Sequence, residues 1–358
     1  MGGFWKAWLS VPLLVILRVI RVWNQTGQKH AGEPDIAKTF LPAHHSILWF
    51  LVLATYIDVV QRLSRRALFW TSQHVSSAAS LALGIVALTF KMEFTKADAP
   101  ELLDGLHPLT FLPPMKDVSL ITQARVLFVS IAALPLLTSF PAIYKRVFQA
   151  GKVEDIAQPP VDAGMLRDQL SDLRLLHDLF TLFLITQSRA TNIPLFLLFE
   201  IQCSILELIE LSGVEMTLTS LLFQFASFFA FGGSNAISSI DLSNAYNGVA
   251  GYNVVAVGIL TFCGNWAGPL WWTSATALLF SKRRIQGRGR WWFEHLSVLT
   301  AFISSSVLFV MLACTALRTH LFIWTVFSPK YLYSMAWSMG QHLCINIGLG
   351  SLLYWVGM

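Results

Sequence analysis

Ser234, Asn235, Ser238, Ser239, Asp241, Ser243, Asn244 and Asn247 lie in one stretch, FGGSNAISSIDLSNAYNG, between two almost wholly apolar segments. Hydroxyls, amides and a carboxylate at this density suit sugar hydroxyls, a phosphate or an ammonium headgroup, with Asp241 as the partner of a cation. Part of the stretch is punctuation. Gly232-Gly233 closes one apolar segment, Ser234 and Asn235 can cap its orphan backbone groups, and Asn247-Gly248 is a turn signal. A structural turn and a ligand contact both stand as readings. The stretch is not a P-loop, because GGSNAISS lacks the GxxxxGK[ST] spacing and has no lysine, which argues against nucleotide binding there.

Glu200, Glu207 and Glu210 form a second group, in FLLFEIQCSILELIEL, where separations of seven and three put them on one helical face. An acid at the centre of a bilayer costs ~2.5 to 3.5 kcal/mol, so these side chains should face protein, water or a cation. They fit an ion pathway or hydrogen-bonded carboxyls between helices. His342 and Asn346 lie one helical turn apart, and Arg318 with His320 opens a late polar segment; such pairs join helices. No third ligand in register makes a metal site of them. Cys203, Cys263, Cys314 and Cys344 show no CxxC pairing and are read as inert thiols buried in apolar segments. GxSxG, HExxH and a paired carboxylate set in an aqueous domain are all absent, so the sequence holds no legible catalytic constellation.

The elements that must position these groups are membrane helices. Of the 358 residues 55% are hydrophobic and 13% charged, and the mean hydropathy is +0.59, a balance foreign to soluble domains of this size. The fold class expected is all-α, a polytopic transmembrane helix bundle of about ten spans forming a single multi-pass membrane domain over 1–358. The spans centre in residues 4–23, 43–60, 72–90, 124–144, 173–189, 193–211, 216–233, 252–280, 295–317 and 335–357. In the eighth, NWAGP should break or kink the helix at Pro269, Gly264 and Gly268, while Trp266, Trp271 and Trp272 also fit an interfacial aromatic belt.

Basic residues fix the orientation. SKRRIQGRGR and QRLSRRA carry no acid, which keeps both loops cytosolic. Cytosolic loops then fall near 61–71, 145–172 and 281–294, and lumenal loops near 24–42, 91–123, 234–251 and 318–334. The net charge of +5 is spread over these short loops, which argues against nucleic acid as a partner. Asn24-Gln25-Thr26 is formally a glycosylation sequon but sits against the bilayer.

Three segments on the lumenal side, IRVWNQTGQKHAGEPDI, FGGSNAISSIDLSNAYNGVAGYNVVAVGILTFCGNWAGPLWW and RTHLFIWTVFSPKYLYSMAW, together resemble the membrane region of the GPI ethanolamine phosphate transferase 2 family. The resemblance implies a multi-pass protein of the endoplasmic reticulum membrane that takes part in GPI-anchor biosynthesis. In that family phosphoethanolamine moves from phosphatidylethanolamine to the second mannose of the GPI precursor. It also implies that the chemistry belongs to a large lumenal domain similar to alkaline phosphatase, N-terminal to the spans, with bound metal, zinc, and a Thr nucleophile. Met1 falls where the family's membrane region begins. The expectation is therefore a chain that lacks the catalytic domain, is inactive alone, carries no catalytic residue and holds no cofactor. Its partners would be membrane lipids, the lumenal catalytic domain in cis or in trans, and a small multispanning stabilising subunit.

On this basis Ser234, Asn235, Ser239, Asp241, Asn244, Asn247, Arg318 and His320 are the candidate substrate contacts, and Glu200, Glu207 and Glu210 the candidate intramembrane polar groups. Two other classes stay open: a lipid or solute transporter or scramblase, suggested by NWAGP and the glutamates, and a non-catalytic assembly subunit.

Overall fold

The computed structural model describes residues 2–25, 34–65, 73–104, 118–149, 163–209, 211–234, 239–284, 291–319 and 330–356. All regular structure among them is helical. The main helices are α1 (Gly2–Trp23), α2 (His45–Ser64), α3 (Gln73–Asp98), α4 (Leu120–Gln149), α5 (Ala163–Thr186) and α6 (Pro194–Leu208). They continue with α7 (Gly213–Ala230), α8 (Val254–Asn265), α9 (Ala267–Arg284) and α10 (Trp291–Ala316). A π-helix over Ala336–Leu349 then runs into α11 (Gly350–Val356). Among the described residues, five helices are long and apolar enough to cross a membrane, and six if α8 and α9 together make one broken span.

The sequence NWAGP does break the chain: α8 ends at Asn265 and α9 begins at Ala267. Proline lacks an N–H and is tolerated in a first helical turn, which is where Pro269 falls in α9. Gly268 lets α9 approach α7 so closely that a Cβ there would lie 2.5 Å from Ser227 Cβ. The tryptophans do not form an interfacial belt. Trp271 and Trp272 are wholly buried, with ring centroids 5.6 and 6.0 Å from Phe199, and Trp272 lies 4.6 Å from Phe223. These large rings in the first turns of α9 pack against Phe199 of α6 and Phe223 of α7.

The chain forms two compact units. The first comprises Met1–Asp35, Leu198–Asp241 and Asn265–Trp355. In it α7 packs on α1, α9 and α10. Its start is fixed by a reciprocal cap: Ser212 N donates to Glu215 Oε2 at 2.7 Å, and Glu215 N donates to Ser212 Oγ at 3.3 Å. One end of this unit joins Asn24 Nδ2 to the Ala230 carbonyl at 2.6 Å, closing α1 onto the end of α7. At the other end Arg283 donates to the carbonyls of Leu211 and Ile209, which satisfies backbone groups that follow α6.

The second unit comprises Ile36–Leu197, Leu242–Gly264 and Val356–Met358. Here α2 and α3 pack together, α4 lies on α3, and α5 on α2 and α4. Toward the C-terminal end of α2, Arg62 pairs with Asp58 and with Asp178 of α5, the latter at 3.1 Å. Its opposite end is capped by residues 242–251, the second half of the polar stretch. Of the cysteines, Cys203 is buried, Cys263 and Cys314 are half-buried and Cys344 is exposed, so the expectation of four buried thiols fails at Cys344.

Candidate functional site

In the second unit the polar stretch closes over a buried cation. The run KMEFTKAD contains no glycine or proline, so α3 continues past its apolar segment to Asp98 and carries Lys91 inside the packing, with 1% of its surface exposed. Its Nζ donates to Asn244 Oδ1 at 3.3 Å and to the Thr186 carbonyl at 3.5 Å, and lies 5.0 Å from the centre of the Phe94 ring. Thr186 ends α5, where the helix dipole places partial negative charge that favours an ammonium. Asn247 Nδ2 also donates to Asn244 Oδ1, at 3.3 Å. One amide oxygen therefore ties the turn to both a side chain of its own and the buried lysine.

The turn is stapled further along. Arg125, near the start of α4, donates from Nε to the Gly248 carbonyl at 2.7 Å. Gly248 holds φ at +75°, and a Cβ there would already touch Ala124 and Arg125 at 3.5 Å, so the turn needs this glycine. Gln123 Nε2 engages Glu93 Oε2 at 2.6 Å, occupying an acid that lies near Lys91 in the chain. The result is a pinned polar turn that covers the buried Lys91 and is held from outside by Arg125.

The first half of the stretch belongs to the other unit and makes its own contacts. Ser234 N donates to Ser239 Oγ at 3.1 Å, and Ser239 Oγ shares a hydrogen bond with Tyr333 Oη at 3.2 Å. Asp241 is held through its backbone by the side-chain amide of Asn265. Of the other candidates, Arg318 is exposed at the end of α10. Asn235, Glu210 and His320 lie outside the described residues. Glu207 Oε2 accepts from Lys282 Nζ at 2.5 Å, which neutralises it across helices, and Glu200 is half-buried in α6.

A second polar cluster lies inside the first unit. Gln341 and Asn346 are five residues apart, and the i→i+5 geometry of the π-helix brings them to one face. Gln341 Nε2 donates to Thr273 Oγ1 at 3.0 Å, Thr273 Oγ1 to Asn346 Oδ1 at 2.7 Å, and Asn346 Nδ2 to Gln224 Oε1 at 3.4 Å. His342 turns elsewhere and meets Thr300 of α10 at 3.0 Å. The expected helix-joining role of His342 and Asn346 is met, but toward different helices. Among the described residues no three His, Cys, Asp or Glu side chains converge to hold a metal.

Sequence reasoning missed Lys91, Arg125, Asn265 and Tyr333. A signal for Lys91 was present, in the unbroken helical run that follows it.

Residues 3–358 match the family described as GPI ethanolamine phosphate transferase membrane region. The chain is similar to a protein of Aspergillus fumigatus named GPI ethanolamine phosphate transferase 2, at 42% identity over 91% of this chain and 34% of that protein. A protein of the same name from Aspergillus oryzae is 40% identical over 97% of this chain and 34% of its own length. Another, from Yarrowia lipolytica, is 30% identical over 96% and 42% respectively. The chain thus spans about a third of the length of the two Aspergillus relatives. No solved structure matches it.

Proposed function

The chain belongs to the GPI ethanolamine phosphate transferase membrane-region family, and from that premise we propose that it seats lipid substrates for phosphoethanolamine transfer in the endoplasmic reticulum. Phosphatidylethanolamine is the donor, and the GPI precursor, modified on its second mannose, is the acceptor. The transfer step belongs to a metal-bearing lumenal catalytic domain, in cis or in trans, and a small multispanning subunit stabilises the membrane region. The whole chain makes one multi-pass domain of about ten spans, with the polar loops lumenal.

The observation that carries this reading is the hydrogen bond from buried Lys91 to Asn244. A lysine buried this fully is costly unless paired, and ionisable groups held inside membrane bundles mark functional paths. Its charge raises the potential beneath the polar turn, and donor and acceptor lipids both bring phosphodiesters to that level.

The test expresses the product of the complete transcript in cells that lack their own second-mannose transferase, as wild type, Lys91→Met and Lys91→Arg. Mass spectrometry of the GPI glycans reads the fraction carrying phosphoethanolamine on the second mannose. Lys91→Met should cut that fraction about tenfold at equal protein level, as expected for loss of a charge-assisted contact. Failure of the wild-type protein to restore the modification, or full restoration by Lys91→Met, sinks the reading. The break between α8 and α9 favours a second reading, a lipid transporter, because broken helices line substrate paths. Phospholipid equilibration across vesicles containing this chain alone would establish that one instead.

A further inference from the structure

We propose that Arg125 anchors the phosphate of a bound phospholipid on the outer face of the second unit, with the acyl chains lying along α4 and α8. The proposal rests on the reading that this end of the unit seats lipid, and it assigns the seat a contact of its own.

Arg125 occupies an unusual place. Ile121, Arg125 and Val129 follow one another at i, i+4 and i+8 on α4, so they share a face. All three are exposed, Val129 to 66%. A guanidinium in a lipid-facing apolar stripe requires an anion or a route to the interface. Among the described residues its hydrogen-bond partner is the Gly248 carbonyl, reached through Nε. That contact orients the planar group and leaves the two Nη groups, with their N–H donors, for another acceptor. A fork of this kind matches phosphate oxygens in a bidentate manner.

The surroundings fit the rest of a phospholipid. Beyond Gly248 the chain exposes Tyr252 to 86% and then Val254, Val255 and Ile259 on α8, where Leu260 is the buried residue. An apolar helix face of this kind needs hydrocarbon beside it, and the Gly248 contact joins its start to the α4 stripe. Tyrosine suits the level where hydrocarbon gives way to headgroups. Cation, amphipathic ring and apolar face therefore succeed one another in the order phosphate, glycerol region and acyl chain.

The experiment places the full chain in phosphatidylcholine nanodiscs that contain a phosphatidylethanolamine with a photoreactive acyl chain. Cross-links in the wild type should map to peptides spanning 118–129 and 252–259. Arg125→Gln should lower their yield about tenfold, and Arg125→Lys, which keeps charge without the fork, by less. A diacylglycerol with the same chains but no phosphate should label wild type and Arg125→Gln equally.

Equal phospholipid labelling in Arg125→Gln and wild type overturns the proposal, as does labelling that ignores the phosphate. Because Arg125→Gln could disturb folding, the wild type is also challenged with inorganic phosphate and with glycerophosphoethanolamine. Displacement by inorganic phosphate at concentrations well below those needed of glycerophosphoethanolamine would make this a free-anion site and also overturns it. Intact labelling in Arg125→Gln together with lost transfer in Lys91→Met removes the Arg125 contact and leaves the seat. Lost labelling in Arg125→Gln with normal transfer in Lys91→Met does the reverse.

Discussion

Asn265 and Asp241 clasp each other through two hydrogen bonds of 2.8 Å: Asp241 N donates to Asn265 Oδ1, and Asn265 Nδ2 donates to the Asp241 carbonyl. The side-chain amide imitates a peptide group, so the last residue of α8 holds the polar stretch as a neighbouring strand would. Asn265→Leu loses both bonds and leaves two backbone groups unpaired, a cost of ~1 to 3 kcal/mol. Amide hydrogen exchange at Asp241 should accelerate, while exchange in the middle of α7 stays unchanged. Unaltered protection at Asp241 would show that the clasp does not hold the stretch.

The Asn346, Thr273 and Gln224 bonds predict a loss of stability. Asn346→Leu loses two interhelical bonds, to Thr273 and to Gln224, although both partners keep Gln341. Interhelical bonds in membranes average ~0.6 kcal/mol, so the variant should lose about 1 kcal/mol. Thermal denaturation in detergent should place Asn346→Leu below wild type, and an unchanged melting temperature would show that the two bonds contribute nothing.

Gly268 predicts a packing rescue. A Cβ there would stand 2.5 Å from Ser227 Cβ and 3.1 Å from the Ser227 backbone carbon, so Gly268→Ala should destabilise by ~1 to 3 kcal/mol through overpacking. Ser227→Gly added to it should recover part of the loss. The pair's non-additivity in melting temperature is the measurement, and purely additive effects would contradict the close contact.

Asn24 predicts an unmodified sequon. The residue is 7% exposed and its Nδ2 is committed to the Ala230 carbonyl. Glycosidase treatment of the protein isolated from cell membranes should leave its mobility unchanged at this position. Asn24→Ala should lower stability by about 1 kcal/mol through the lost bond.

The Glu207 and Lys282 pair should add little to stability. Both groups keep some exposure, so a double-substitution cycle with Glu207→Gln and Lys282→Met should return a coupling of about 1 kcal/mol or less. A large loss of the proposed transfer in Glu207→Gln at normal protein level would restore the ion-pathway reading of the glutamates.

Composition made the helical, membrane-bound character legible, and NWAGP made the broken helix legible, because both follow from local chemistry. The polar stretch was legible as a stretch, yet its division between two units was not, since that depends on what Lys91 and Asn265 reach across 153 and 24 residues. Lys91 looked like the flank of a span because an apolar window ends beside it, although the helix does not. His342 and Asn346 were paired by an α-helical period of four. The π-helix has a wider turn, and it swaps Gln341 into that partnership, which no hydrophobic pattern announces.

The stripe of Trp292, His295, Leu299 and Ile303 is all that α10 buries, on a helix long and apolar enough to cross a membrane. During synthesis such a segment can leave the translocon sideways and settle in the bilayer before it has found its neighbours. α9 cannot do so as easily, because Lys282 and Arg283 travel with it, but the carbonyls and the carboxylate that receive them have already emerged from the ribosome on the segment after α6 and on α6 itself. Assembly of this half of the chain is thereby ordered in time: α9 is captured by earlier protein, and α10 can dock its stripe from lipid onto α7 and α9 before the π-helix arrives to complete the packing.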